Sequence, residues 1–460
     1  MNINDTFRYL HMGIPERIRQ KKDHGDFAGA IEDIDQLLMR EDLPFAMRQC
    51  LTAEREMIRR FPEDFPYSRE EAIALVRKSI PDFNGEEFEQ WERDFRIRWI
   101  YVNGEKRYFD RFFESLCKTD VEIAGRAGGA TVPRNERYFK EAAEIMRKEG
   151  ILEKKFHCRA SVQLKDTTFA RGQNITAVLP LPCACDSQSE IRIEKISPEP
   201  THISSENALQ RVVFWEGHAE ENQEYTVEFS YIRKAVYHDL WNVDEQADAK
   251  SDTSETESKY LEEYAPHILF TPYIRELADE LTKDKKSQLE KARAIYDFVT
   301  QKVKYSFMPA YFSQESIAEN CARNLTGDCG VQTLLFITLC RCAGIPAKWE
   351  SGWAAEPGFC GAHDWSRFYI AEYGWLYADV SYGGDAAVRE DEERRRFYFG
   401  NLDPYRMSAN TEFQADFEIP RSGWRADPYD NQVGEMEVDG RGLEYSEFLR
   451  KKEVLSIEDV

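Results

Sequence analysis

The sequence contains no run of about 18 uninterrupted apolar residues, so no membrane-spanning helix is expected. It also lacks a basic excess. Its 61 Lys and Arg stand against 84 Asp and Glu, a formal net charge of −23. A duplex nucleic-acid binder needs a clustered basic face to displace counterions, so that class is excluded. The opening stretch, MNINDTFRYLHMGIPERIRQKKDHGDF, has no basic segment followed by an apolar one, and no secretory leader is expected. The ten cysteines are dispersed and include no C-x-x-C pair. The expectation is therefore reduced thiols in a cytoplasmic setting, without a disulfide framework. No acidic EF-hand loop is present.

What is present is enough to fold. Hydrophobic residues make up 42% of the chain and aromatics 13%, which excludes global disorder. A length of 460 residues suggests about three domains.

Residues 1–150 read as mainly helical. Asp26 precedes AIEDIDQLLMR, with Ile31, Ile34, Leu37 and Leu38 on one face. Ser68 and Glu71 form a capping-box pattern before AIALVRKSI. Asn135 starts a helix that Gly150 stops. One β-hairpin interrupts this region: IRWIYV, Asn103-Gly104, then EKRYF, because Asn-Gly supplies both positive φ values of a type I′ turn. Residues 151–243 change to short β-branched and aromatic runs between turn residues, the pattern of a small antiparallel sandwich, with Cys183 and Cys185 in a loop. Residues 244–258, DEQADAKSDTSETES, read as an acidic linker. The tail, 411–460, is less patterned, and YSEFLRKKEVLSIEDV reads as a closing helix.

Residues 259–410 concentrate the chemistry. LEKARAIYDFVTQKV is amphipathic, with Ala292, Ile295, Tyr296, Val299 and Val303 on one stripe. Asp328 then caps an apolar helix that Gly344 ends, placing Cys329 in the first turn. Free amides and the macrodipole at a helix start favour a thiolate. A cysteine nucleophile also needs a base, and the base an orienting partner. His363 is the one histidine after Cys329, and Asp379 lies 16 residues further on the next predicted strand. A three-residue turn at 372–374 would set Asp379 opposite Arg367, so contact with His363 requires a shifted pairing. Drawing Cys321, Cys329, Cys360 and His363 as a zinc set finds no support in their spacing.

Gly-Asp-Cys-Gly at 327–330, LCRCAGIPA at 339–347, AHDWSRFY around His363, and Gly374-Trp375 leading to Asp379 together resemble the transglutaminase-like superfamily of papain-fold enzymes. The resemblance implies a multidomain α+β protein: a helical N-terminal domain, a small antiparallel β-sandwich and a C-terminal catalytic domain. It implies a Cys329–His363–Asp379 triad that forms a thioester acyl-enzyme on a protein or peptide amide. Trp365, on the strand face of His363, would line the substrate site. Neither metal nor cofactor is implied. The Cys329 amide would be the first oxyanion donor, with Tyr305 or Gln314 as candidates for the second. The expected activity is amide or peptide hydrolysis. Glutaminyl acyl transfer to an amine and a non-catalytic scaffold are the alternatives. Oligomeric state is not legible.

Overall fold

The computed structural model describes residues 3–128, 136–243, 255–421 and 423–460. The helical start follows local capping chemistry. Asp26 accepts the Gly29 N–H ahead of Phe27–Leu38. Ser68 and Glu71 cap each other's backbone at Arg69–Arg77. Strands β1 (Trp99–Val102) and β2 (Glu105–Tyr108) pair across Asn103 and Gly104, both at positive φ. The helix Glu136–Glu149 ends at Gly150, also at positive φ; its expected cap, Asn135, lies outside the described residues.

Six strands follow: β3 (Ile151–Leu164), β4 (Asn174–Pro180), β5 (Gln188–Ser197), β6 (His202–Ile203), β7 (Val212–His218) and β8 (Tyr225–Val236). Most of the predicted acidic linker lies outside the described residues, and its end, Glu255–Ser258, is helical. After the helices Pro272–Thr282 and Gln288–Lys302, the two-residue strands β9 (Lys304–Tyr305) and β10 (Thr326–Gly327) pair in parallel just before Cys329. Next come the helix Cys329–Cys342 and the strands β11 (Ala347–Glu356), β12 (Phe359–Ile370), β13 (Gly374–Ala378), β14 (Phe399–Gly400) and β15 (Arg406–Asn410). These five form one antiparallel sheet in the order β14-β13-β12-β11-β15.

The tail departs from the sequence expectation. It supplies β16 (Glu435–Val438), β17 (Arg441–Gly442) and β18 (Phe448–Asp459), and no closing helix. β18 runs antiparallel along β3, from Phe448 opposite Leu164 to Asp459 opposite Lys154. Its Lys and Glu residues mimic a salt-bridged helix, yet the strand occupies a sheet edge, where charge is tolerated and blocks further pairing. The sheets are β18-β3-β8-β5 and β17-β16-β4-β7-β6. Their inner faces share a core that includes Phe156, Val227, Phe229, Leu179, Trp215 and Met436. Trp353 and Met407 of the third sheet enter the same core and fix that sheet beside it.

The helix Cys329–Cys342 is buried on all sides, with Leu334, Leu335, Phe336, Ile337 and Leu339 fully enclosed, as an all-round apolar helix must be. The N-terminal region holds the segment just upstream of it. Phe307 packs with the core of Phe65, Phe109 and Phe112, and Phe312 packs with Phe7, Ala53 and Met57. The Ala310 N–H donates to Asp64 Oδ2 at 2.8 Å, and Arg98 donates to Thr326 Oγ1 at 3.3 Å.

Candidate active site

Cys329 is the first residue of its helix, and the Asp328 side chain caps that helix by accepting the Val331 N–H. The sequence expectation of a first-turn cysteine holds, and Gly344 takes positive φ beyond the helix end. The expectation of a dipole-favoured thiolate does not hold. The half-buried Cys329 thiol donates to Asp364 Oδ2 at 3.1 Å. Burial, with the carboxylates of Asp364 and Asp328 beside it, pushes the thiol well above its ordinary range. Burial is the largest cause, and the two neighbouring acidic groups add to it against the dipole's partial positive charge.

His363 and Asp379 meet. His363 Nε2 lies 2.7 Å from Asp379 Oδ2, and both side chains are buried. The observed turn between β12 and β13 pairs Ser366 with Ala378 and Ile370 with Gly374. One step further sets Asp379 level with Trp365, diagonal to His363 on the same face, a distance that side chains can span. Asp379 is not a strand residue. It leaves the ladder as the N-cap of the helix Val380–Val388, and its Oδ1 accepts the Tyr382 N–H at 2.9 Å. Arg406 on β15 donates to Asp379 Oδ2 at 3.1 Å and to Asp403 Oδ1 at 3.0 Å. Burial opposes the Asp379 charge, but His363, Arg406 and the Tyr382 amide together hold the carboxyl below its usual range. The Tyr382 ring lies 4.5 Å from the His363 ring and 4.5 Å from the Arg406 guanidinium.

Cys329 and His363 are not joined by a hydrogen bond among the described residues, and His363 Nδ1 has no partner there. The thiol instead meets Asp364, one residue along the strand from His363. Asp364 is in turn held from the tail. The Gln432 carboxamide donates to Asp364 Oδ1, to Asp430 Oδ2 at 2.9 Å and to the His363 carbonyl at 3.4 Å. Trp353 Nε1 donates to the Gln432 carbonyl at 2.6 Å and pins that loop to β11. Trp365 is fully buried, 6.0 Å from the His363 ring. Gln314 spends its amide on the Pro309 carbonyl at 2.6 Å, while Tyr305 stands near the thiol with Tyr311, whose hydroxyl donates to Asp328. Among the described residues, no group of three or more His, Cys, Asp or Glu side chains is arranged to hold a metal ion.

Residues 275–380, from the amphipathic helices through Asp379, match the transglutaminase-like superfamily. The chain carries a transglutaminase-like domain. Its match covers Cys329, His363 and Asp379 and excludes Arg406 and Gln432. No curated relative matches the chain. A solved structure described as a "Putative Cysteine Protease" from Cytophaga hutchinsonii is 16% identical, covering 66% of this chain and 91% of that one at a TM-score of 0.44. The periplasmic domain of TgpA from Pseudomonas aeruginosa is 15% identical, covering 55% and 96% at 0.29. No helix among the described residues is long and apolar enough to cross a membrane.

Asp364, Arg406, Tyr382, Tyr311 and Gln432 are the residues of this transglutaminase-like site that sequence reasoning missed. Asp364 carried a signal, since it separates His363 from Trp365 in the motif. Gln432 carried none, because only the fold brings the tail there.

Proposed function

We propose that this protein is a thiol-dependent hydrolase of amide or peptide bonds, with Cys329 as nucleophile, His363 as base and Asp379 as its orienting partner. The observation that supports it most is the buried His363–Asp379 pair. Asp379 engages Nε2, and Nδ1 is left as the nitrogen that can accept the thiol proton. Resting hydrogen bonds at catalytic sites often tighten only when substrate binds. In the reaction, Sγ attacks the carbonyl carbon as its proton passes to Nδ1. The oxyanion is met by the Cys329 amide, one of the free N–H groups at the helix start. The protonated His363 then gives that proton to the leaving amine, which departs as the thioester forms. Water, deprotonated by His363, hydrolyses the thioester and returns the thiol.

The test is a matched pair of assays on the purified protein: fluorogenic peptide amides for hydrolysis, and a glutamine-containing peptide with a labelled primary amine for transfer. Hydrolysis without amine incorporation is expected, and it should be lost in Cys329→Ala and in His363→Ala while both variants stay folded. Amine incorporation without net hydrolysis overturns the hydrolase reading in favour of acyl transfer. Neither activity, over a broad peptide set, supports a scaffold.

A further inference from the structure

We propose that Asp364 is a positioning residue that masks the resting nucleophile, holding Cys329 protonated and turned away from His363 until substrate displaces the contact. This rests on the hydrolase reading above and concerns the regulation of the same site.

The geometry carries it. Among the described residues the Cys329 thiol donates to one acceptor, Asp364 Oδ2 at 3.1 Å. The other carboxylate oxygen, Oδ1, accepts from Gln432. Burial and the neighbouring Asp430 raise the Asp364 carboxyl, but a donor on each oxygen opposes that rise and favours the carboxylate, with the shared proton on sulfur. Gln432 cannot drift, because its carbonyl accepts from Trp353 and its amide also serves Asp430. Asp364 and Tyr311 also close over the start of the helix: a Cβ on Gly330 would lie 2.8 Å from Asp364 Oδ2 and 2.3 Å from the Tyr311 hydroxyl.

The charges around Cys329 favour the same state. Its own helix contributes Asp328, which faces Tyr311, while Arg98 and Arg111 of the N-terminal region partly offset that charge. Tyr305 stands beside the thiol from β9. The tail loop brings Asp430 and Asp427 behind Asp364. Lys452 of β18 faces Cys329 and Asp364, and burial pushes it down to about 8. Forming a thiolate here places a negative charge in a partly dry site beside the acidic Asp364, which is costly. The substrate carbonyl must therefore draw the sulfur off Asp364 before Nδ1 of His363 can take its proton.

The experiment is the alkylation rate of Cys329 by iodoacetamide, read by peptide mass spectrometry from pH 6 to 9, in the full-length protein. Asp364→Asn removes the charge and keeps the shape. Its rate at pH 7 should rise at least tenfold, with the midpoint of the pH profile moved down. Asp364→Glu retains the charge and should stay within a few-fold of the wild type. Gln432→Leu frees the second oxygen and should give a smaller rise; it decides the matter if Asp364→Asn does not fold. An unchanged or slower rate in folded Asp364→Asn overturns the proposal, because a merely structural Asp364 would leave the thiol's pH profile in place. The readout needs no substrate. A faster thiol in a protein without amidase activity would therefore sink the hydrolase reading and leave the mask standing.

Discussion

Asp379 accepts two donors on a single oxygen, and one of them, Arg406, lies outside the segment that carries the superfamily motifs. Arg406 is fully buried and also bonds Asp403 and the Tyr405 carbonyl. Removing it strands two buried carboxylates, which typically costs about 3–5 kcal/mol. Arg406→Gln should lose stability of that order by urea unfolding, and its amidase activity should fall because the imidazole's partner has lost an anchor. Arg406→Lys keeps the charge but cannot reproduce the planar fork, so it should recover part of the stability and less of the activity. A stability loss under 1 kcal/mol in Arg406→Gln would show that Asp379 does not depend on it. Asp379's depressed proton affinity adds stability that is present above the ordinary carboxyl range and lost as the pH falls through it. At this scale the sequence was read correctly for position and wrongly for state. Cys329 is where its cap put it, but burial first, and then the acidic Asp364 and Asp328, disfavour the thiolate, and only the fold determines that burial and those distances.

Between elements, the site depends on how closely β15 approaches β11. Gly352 sits opposite His363 on β12 and beside Ser408 on β15, where the register shifts by a bulge. A Cβ there would fall 1.9 Å from the Met407 carbonyl oxygen, a backbone atom that cannot swing aside. Gly352→Ala must therefore push β15 outward and carry Arg406 away from Asp379. The expected result is a loss of about 2–3 kcal/mol or more by thermal or urea unfolding, with a disproportionate loss of activity relative to an exposed control such as Gly217→Ala, where an added Cβ meets nothing within 4 Å. Equal activity in the two variants would refute the coupling. The elements legible in the sequence were those with local chemistry: the Ser68–Glu71 box, the Asn103–Gly104 turn, the Asp328 cap and the Gly344 stop. Those misread depend on distant partners. Nothing local distinguishes Asp379 as a strand residue from Asp379 as a helix cap. The Lys and Glu pattern of β18 satisfies a helix equally well until β3 is beside it.

Across the whole molecule, the N-terminal region meets the transglutaminase-like domain through a seam with an unusual acid. Asp64 accepts the Ala310 N–H, and Ala310 lies between Phe307 and Phe312, whose rings are held in N-terminal cores. Burial raises Asp64 from 3.8 to about 7, helped by Asp110 and Glu444, while the Ala310 amide opposes the shift. The sign follows from proton counting. Between these two values the folded protein holds a proton that the unfolded chain has released, so stability falls as the pH rises through that window. The full benefit is present below the unfolded value and is gone above about pH 7. Asp64→Asn keeps an oxygen to accept the Ala310 amide and carries no charge. It should therefore be more stable than the wild type at pH 8, by on the order of 1–2 kcal/mol after allowance for solvent screening. The two proteins should converge at pH 4. The check is a set of urea-unfolding curves from pH 4 to 8, with alkylation of Cys329 followed in parallel. If the gap between Asp64→Asn and the wild type does not widen with pH, Asp64 is not the group that titrates the seam. If it widens while the thiol's reactivity stays constant, the seam stabilises the molecule without governing access to Cys329.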